Sequence, residues 1–366
     1  MPKKKVVLIG TNGIPAHYGG IETLAEYLAR DLNEDYELYC YCSKTPKEKQ
    51  LQTYRNTKLI YVPLKANGWQ SILYDGWTIL QALWKYDVLL ILGCSNPIAP
   101  FFNILHKKKI VYNAIGGREV DKVRGINALG KLEVAVKKWL GSIPVKYSQS
   151  VIIDNNANLQ EFIAAEKRVP IVAEYGGDHA QFRPITADMV DKYPFLSRPY
   201  DVTVSRAQED MNIHMVIDAY KEVTKRTVVI ISNWEKTEYG LALKAENKGK
   251  YSNIILLDAI YNQDELNVIR SNAAVYLHTH SMCGTAPSLV EAMYLGLPVI
   301  SFKVPTNLET TEQKALFFES VPELVTVLNG LSSDKLKSLG LTMKEIADRR
   351  YQWKRITDIY KKCIEN

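Results

Sequence analysis

The stretch Ser281 to Ile300, S-M-C-G-T-A-P-S-L-V-E-A-M-Y-L-G-L-P-V-I, combines backbone access, an anion-attracting helix end and a carboxylate. Gly284, Thr285 and Ala286 have little bulk, so their amides admit close approach of a ligand. Pro287 and Ser288 suit a helix start, where unpaired N–H groups and the macrodipole favour negative charge. Glu291 follows in the first turn, on the side of Pro287. A carboxylate beside a phosphate there accepts hydrogen bonds from sugar hydroxyls. Gly296 ends the helix and Pro298 launches the strand Val299–Phe302. The chemistry implied is the holding of a sugar that carries phosphates. An ordinary helix cap in an α/β core shows the same spacing.

Other polar loops sit at the ends of apolar runs. Gly10–Thr23, G-T-N-G-I-P-A-H-Y-G-G-I-E-T, joins the strand at 6–9 to a helix at 21–32. Gly19 and Gly20 carry no side chain to block backbone contact with a phosphate or a sugar. The spacing is not the dinucleotide fingerprint, and there is no P-loop lysine. Glu22, in the first turn, also complements the helix dipole. In Ala173–Ala180, A-E-Y-G-G-D-H-A, Asp178 could hold a sugar hydroxyl or orient His179. His179 could donate to a phosphate oxygen, or the loop could be a linker turn with an Asx bond. Arg206 follows the strand at 200–204, and one guanidinium can hold two phosphate oxygens. His278 and His280 alternate at a strand end; two histidines can bind zinc, but no third ligand is apparent in the sequence.

The elements that must position these loops alternate. Strands are expected at 36–42, 58–62, 87–92, 109–112, 150–154 and 171–174, with helices at 71–84, 97–106 and 159–165 among them. Such alternation argues for a parallel sheet with helices on both faces. Residues 176–199, rich in Gly, Pro and polar side chains, read as an interdomain linker. A second series follows, with strands at 200–204, 227–231, 254–257 and 274–277 and helices at 213–223 and 263–271. Two doubly wound domains leave a cleft at the carboxyl ends of their strands. The expected division is 1–190, 191–345 and a C-terminal helix within 346–366, with helical pattern over Thr342–Ile364.

Composition narrows the classes. The 366 residues, 46% hydrophobic, suit about two domains with full-sized cores. No apolar run is long enough to span a bilayer, and the N-terminus lacks a signal peptide's apolar core, so a cytoplasmic location is expected. The scattered cysteines suit reduced thiols. The net charge of +6 does not by itself imply nucleic acid. Basic residues cluster over 107–146, including Lys107–Lys109, Lys122, Arg124, Lys131, Lys137, Lys138 and Lys146. Leu129, Leu132, Val136, Trp139 and Leu140 recur among them at helical spacing. That face could lie on an anionic membrane surface, peripheral to the inner leaflet, or be a solvated face of a packed helix.

Several of these motifs together resemble retaining glycosyltransferases of family 4, which have the GT-B fold, and among them a bacterial rhamnosyltransferase-like subfamily. Glu291, Ala292, Gly296 and Pro298 match the donor motif, while Cys283 stands where its first glutamate would be. The run I-G-x-x-G-I-P-A-x-Y-G-G-x-E-T resembles the subfamily's N-terminal signature, and Y-G-G-D-H-A recurs in it. The resemblance implies two Rossmann-like domains facing a central cleft, the C-terminal helix crossing back to the first. It places Gly19, Gly20 and Glu22 at the donor–acceptor junction, with Glu22 on an acceptor hydroxyl. Gly116, Gly117 and Glu119 fit a second acceptor loop, from which Arg118, Val120, Asp121 and Lys122 depart. It puts Arg206 and Asn212 at the donor diphosphate, although the lysine usual a few residues on is missing. Asn233 and Trp234 become neighbours of the donor, and Ile260 and Tyr261 part of the loop that reads the base. His280 becomes a hydrogen bonder to the donor.

The implied reaction is transfer of a hexose from a nucleotide diphosphate with retention, in cell-surface polysaccharide synthesis. Arg206 and the amides at 284–286 would stabilise the leaving diphosphate, with Glu291, Glu22, Asp178 and His179 completing the catalytic set. No Asp-x-Asp motif occurs, so no metal or other cofactor is expected. The leaving oxygen itself would take the acceptor's proton. L-Rhamnose from dTDP-β-L-rhamnose, moved onto a lipid-diphosphate-linked saccharide, fits the subfamily and the loss of the glutamate at Cys283. A UDP-hexose or UDP-N-acetylhexosamine donor is the alternative. An epimerase of the same fold and an inactive GT-B scaffold protein are the readings from other classes.

Overall fold

A computed structural model describes residues 2–16, 19–66, 70–93, 109–114 and 142–366. The chain forms two compact units, Met1–Glu174 with Trp353–Asn366, and Tyr175–Gln352. Each is built on one sheet.

The first sheet contains β1 (Lys5–Ile9), β2 (Glu37–Cys42), β3 (Thr53–Tyr54), β4 (Thr57–Tyr61), β5 (Val88–Leu92), β6 (Lys109–Asn113), β7 (Ser150–Ile153) and β8 (Ile171–Val172). Their spatial order is β3-β4-β2-β1-β5-β6-β7-β8, parallel except for the β3–β4 pair. β5, V-L-L-I-L, is buried along its whole length, as expected where helices cover both faces of a parallel sheet. Strand order reverses at β1, which pairs with β2 on one side and β5 on the other. The loop after β1 therefore leaves the sheet at a topological switch point, where α/β proteins place ligands.

The second sheet contains β9 (Asp201–Val204), β10 (Val228–Ser232), β11 (Ile254–Asp258), β12 (Val275–His278), β13 (Val299–Phe302) and β14 (Leu316–Phe318). All pairs are parallel in the order β11-β10-β9-β12-β13-β14. Side chains alternate between two cores. Val228 and Ile230 pack into one, and Val229 and Ile231 into the other. Here the order reverses at β9, between β10 and β12. The loops after β9 and β12 thus flank the switch point.

Two expectations about the chain's organisation change. Residues 176–199 are not a free linker. Phe195, Leu196 and Tyr200 are buried in the second unit's core, and Lys192 pairs with Glu265 at 2.6 Å. Gly and Pro there shape a packed crossing instead of loosening it, so the units divide at 174/175. The helical pattern over 342–364 is two helices, Ser333–Arg350 in the second unit and Trp353–Glu365 in the first. Tyr351 and Gln352 interrupt them. The helix expected at 97–106 lies outside the described residues.

The helix Trp353–Glu365 docks on the first unit through an apolar stripe and specific polar contacts. Trp353 stacks on Tyr27 at 4.3 Å between ring centroids. Tyr360 hydrogen-bonds Asn113, and Lys361 pairs with Asp35 at 2.6 Å. Thr357, 1% exposed, donates its hydroxyl to Asp31 at 2.8 Å. Thr357→Val keeps the shape and removes a bond to a charged acceptor. It is expected to destabilise the first unit by about 1.5–3 kcal/mol, read from its denaturant transition. An unchanged midpoint would show that Arg30, which donates to both Asp31 oxygens, already satisfies the carboxylate.

Candidate functional site

In the first unit, the loop after β1 is fixed by side chains from the following helix, Gly20–Leu32. Glu22, 8% exposed, accepts from the Asn12 backbone N–H at 3.0 Å and from its Nδ2 at 2.8 Å. Glu26 accepts from the Ala16 N–H at 2.7 Å and from the Tyr54 hydroxyl at 2.7 Å. Gly19 caps the helix at φ 109°, and a Cβ there would lie 2.3 Å from Glu22 Oε2. The two carboxylates therefore tether the loop at two points, and glycine lets the chain pass over Glu22. Gly20 opens the helix. Glu22 thus anchors the loop after β1, a local role that differs from both the helix-dipole and the acceptor-binding readings of the sequence. Glu26 was not singled out, because a second carboxylate one turn along the helix carries no motif of its own.

In the second unit, the loops after β9 and β12 are stitched together. Asn212, left-handed at φ 50°, donates Nδ2 to the Thr279 carbonyl at 2.9 Å. Thr279 donates its hydroxyl to the Met211 carbonyl. Ser281 donates both its N–H and its hydroxyl to the Asp210 carbonyl, each at 2.9 Å. Asn233, at the end of β10, accepts from the Ala207 N–H at 3.0 Å. Arg206 stands exposed at the front of this assembly. Burial and the charge of Arg206 hold the His280 ring down at about 3. Arg206 and His280 are thus electrostatic neighbours, and His280 is a neutral imidazole near pH 7.

The Gly284–Ala286 turn leads into the helix Pro287–Tyr294, whose N-cap, Ala286, has no side chain to satisfy the first amides. Thr285 and Ala286 are buried and Gly284 is half-buried. Glu291 is the fifth residue of this helix and lies beyond its first turn, a correction to the sequence reading. Its carboxylate forms a buried ion cluster. Oε1 meets His179 Nε2 at 2.9 Å, and Oε2 pairs with Arg270 Nη1. Arg270 is 1% exposed and also donates Nη2 to Asn267 Oδ1 at 3.0 Å. Burial pushes the Glu291 carboxyl up, but Arg270 and His179 together outweigh it and hold it at about 2. Gly177 makes the approach of His179 feasible, because a Cβ there would lie 2.5 Å from the Val290 carbonyl oxygen. The Gly-Gly-Asp-His turn therefore lies directly on the helix that carries Glu291.

The structure brings together Arg206, Asn212, Asn233 and His280, and separately His179 with Glu291. Asp178, next to His179 in sequence, is half-buried. Tyr261 is 54% exposed, and Ile260 packs in part on the core. Trp234 is a correction. It is fully buried and donates its indole N–H to the Leu257 carbonyl at 2.7 Å, so its ring is core and cannot reach a donor. Arg270 was missed, since one arginine in an amphipathic helix carries no local signal of burial. Gly117, Glu119 and most of the basic stretch 107–146 lie outside the described residues. No helix among the described residues is long and apolar enough to cross a membrane.

Comparison with known proteins agrees with this architecture. Residues 190–335 match the model for glycosyl transferases group 1, and residues 3–178 match a domain of unknown function, DUF1972. No protein with a curated description matches the sequence. Among solved structures, sucrose-phosphate synthase from Thermosynechococcus elongatus is similar at TM-score 0.78 and 15% identity, over 99% of this chain and 100% of its own. Anabaena HepE in complex with UDP and glucose is similar at TM-score 0.77 and 15% identity, over 100% of both chains. A glycosyltransferase from Rickettsia africae is similar at TM-score 0.74 and 13% identity, over 100% of this chain and 99% of its own. At such identities the likeness speaks to the fold, which is GT-B.

Proposed function

We propose that this chain, a glycosyltransferase by the domain at 190–335 and GT-B by fold, moves L-rhamnose from dTDP-β-L-rhamnose onto a lipid-diphosphate-linked saccharide with retention. The observation that carries the nucleotide-sugar reading is the switch point of the second sheet. An exposed guanidinium at Arg206 and an uncapped helix N-terminus after Gly284–Ala286 flank it. Both favour an anion, and a diphosphate is one whose charge grows as the sugar leaves. Rhamnose is supported by the subfamily motifs and by Cys283, which replaces a carboxylate with a group that cannot accept hydrogen bonds from a hexose in the same way. The lipid-linked acceptor, a cytoplasmic location and peripheral attachment to the membrane belong to the same reading. The reaction needs no general base if the leaving oxygen takes the acceptor's proton.

A UDP-sugar donor is the second reading, favoured by Anabaena HepE, which was solved with UDP and glucose and shares the fold. Thermal stabilisation separates the two. A ligand that binds only the folded state at 100 times its Kd adds about 2.7 kcal/mol of stability. The expected result is a larger rise in Tm with dTDP and dTDP-rhamnose than with UDP or UDP-sugars. The reverse order would replace rhamnose while keeping the reaction class. No rise with any of them would count against a nucleotide-sugar site.

A further inference from the structure

We propose that His278, His280 and Cys283 form a zinc site on the loop after β12. The sequence spacing offers only two histidines as an evident pair, but the fold supplies the third donor. One ligand atom from each of the three residues lies within 4.8 Å of the others. Bonds of about 2.0–2.1 Å to nitrogen and about 2.3 Å to sulfur require only a small closure of such a triad around one ion.

The local backbone explains why these three converge. Side chains alternate along the strand end, so Thr279 and Ser281 face Met211 and Asp210 while His278 and His280 share the other side. The two imidazoles lie 4.2 Å apart between centroids. Asn307 stands behind them and fixes the loop, donating Nδ2 to the carbonyls of His280 at 3.0 Å and Phe302 at 2.9 Å. Its Oδ1 accepts from Cys283 Sγ at 3.5 Å, which holds the sulfur toward the histidines.

The independent observation is an unmet polar demand. His278 is 1% exposed, yet neither of its ring nitrogens has a hydrogen-bond partner, and His280 Nε2 is likewise buried without one. An Asn307 Oδ1 contact meets at most one ring N–H of His278, which still leaves its other ring nitrogen and His280 Nε2 unmet. Buried polar groups are ordinarily paired, and an unpaired one costs about 1–3 kcal/mol. A metal ion satisfies such nitrogens directly. The charge of Arg206 opposes a dication, and the Cys283 thiolate offsets it. Two imidazoles and one thiolate are a donor set suited to Zn²⁺. Binding deprotonates the Cys283 thiol, whose proton goes to solvent, and leaves a fourth position for water or another oxygen.

His280 and Cys283 also enter the donor reading, so the site is tested through the metal itself and not through activity. Tag-free, chelator-treated protein is titrated with Zn²⁺ against a chromophoric chelator, and with Co²⁺ as a spectroscopic probe. The expected result is one ion per chain, with a thiolate-to-cobalt charge-transfer band. Cys283→Ser should abolish the band. Cys283→Ser and His280→Gln should each weaken Zn²⁺ by more than the about 10–100-fold that loss of a supporting partner costs. Circular dichroism identifies a variant that fails to fold, and the other then decides. No bound ion in the parent protein overturns the proposal. So does a band that survives in Cys283→Ser, which would place the ion on another thiol.

Discussion

Arg206→Ala is expected to lower sugar transfer by about 10²–10³-fold, the loss typical of removing one preorganised donor to developing negative charge. Arg206 is exposed on the loop after β9, and Asn212, Asn233 and Ser281 hold that loop to its neighbours. The substitution therefore removes charge without removing a structural contact. Arg206→Lys should recover only part of the loss, because a point charge cannot reproduce the planar fork. Binding of dTDP or UDP alone should weaken in parallel. A second readout follows from His280, whose ring is held at about 3 by burial and then by Arg206. Its apparent pKa should rise in metal-free Arg206→Ala, by NMR titration, while burial still keeps it below the usual histidine range. Transfer unchanged within a few-fold would remove Arg206 from the donor site. An unmoved His280 would contradict the electrostatic contact described here.

Arg270→Met is expected to destabilise the second unit by about 3–5 kcal/mol, the range for breaking a buried ion pair from one side. Arg270 is 1% exposed and Glu291 13% exposed, so the surviving carboxylate would be left largely desolvated, with His179 as its partner. The double variant Arg270→Met with Glu291→Leu should recover much of the loss, because the desolvation of both charges is then removed. The pH dependence gives the sign. Glu291 is held at about 2 in the folded chain against an ordinary 4.5. It therefore contributes stability that is fully present above about 4.5 and lost as pH falls through about 2. The amount is on the order of 3 kcal/mol. In Arg270→Met the burial that raises the carboxyl is no longer outweighed by the guanidinium. The variant's deficit should therefore shrink as pH falls, since protonation removes the uncompensated charge. A deficit independent of pH would assign the loss to packing instead of charge. Donor binding read alongside separates a positioning role for this cluster from a purely structural one.

These two predictions differ in how far the sequence reveals them. Arg206 is legible because it stands in a loop between a strand and a helix, beside motifs whose spacing is local. The alternation of apolar runs with helical periodicity likewise determines two doubly wound α/β domains, and Gly284 to Pro298 determines a turn, a helix and a buried strand. Such features depend on residues close together in the chain, where φ/ψ limits and hydrophobic period act directly. Partners across the sheet are a different matter. Glu291 meets Arg270 across 21 positions and His179 across 112, and no local pattern encodes either contact. Trp234 and Tyr261 are both aromatic residues in loops at strand ends, yet one is fully buried and the other 54% exposed. Residues 176–199 have a linker's composition but supply Phe195 and Leu196 to a core. His278, His280 and Cys283 converge because the strand end and the following turn fold back on Asn307. Local patterns are therefore enough to give the class of fold and the loops between its strands and helices. Which side chains are buried, which charges are paired and which donors share one point in space follow from packing, because burial and long-range pairing are properties of the packed chain.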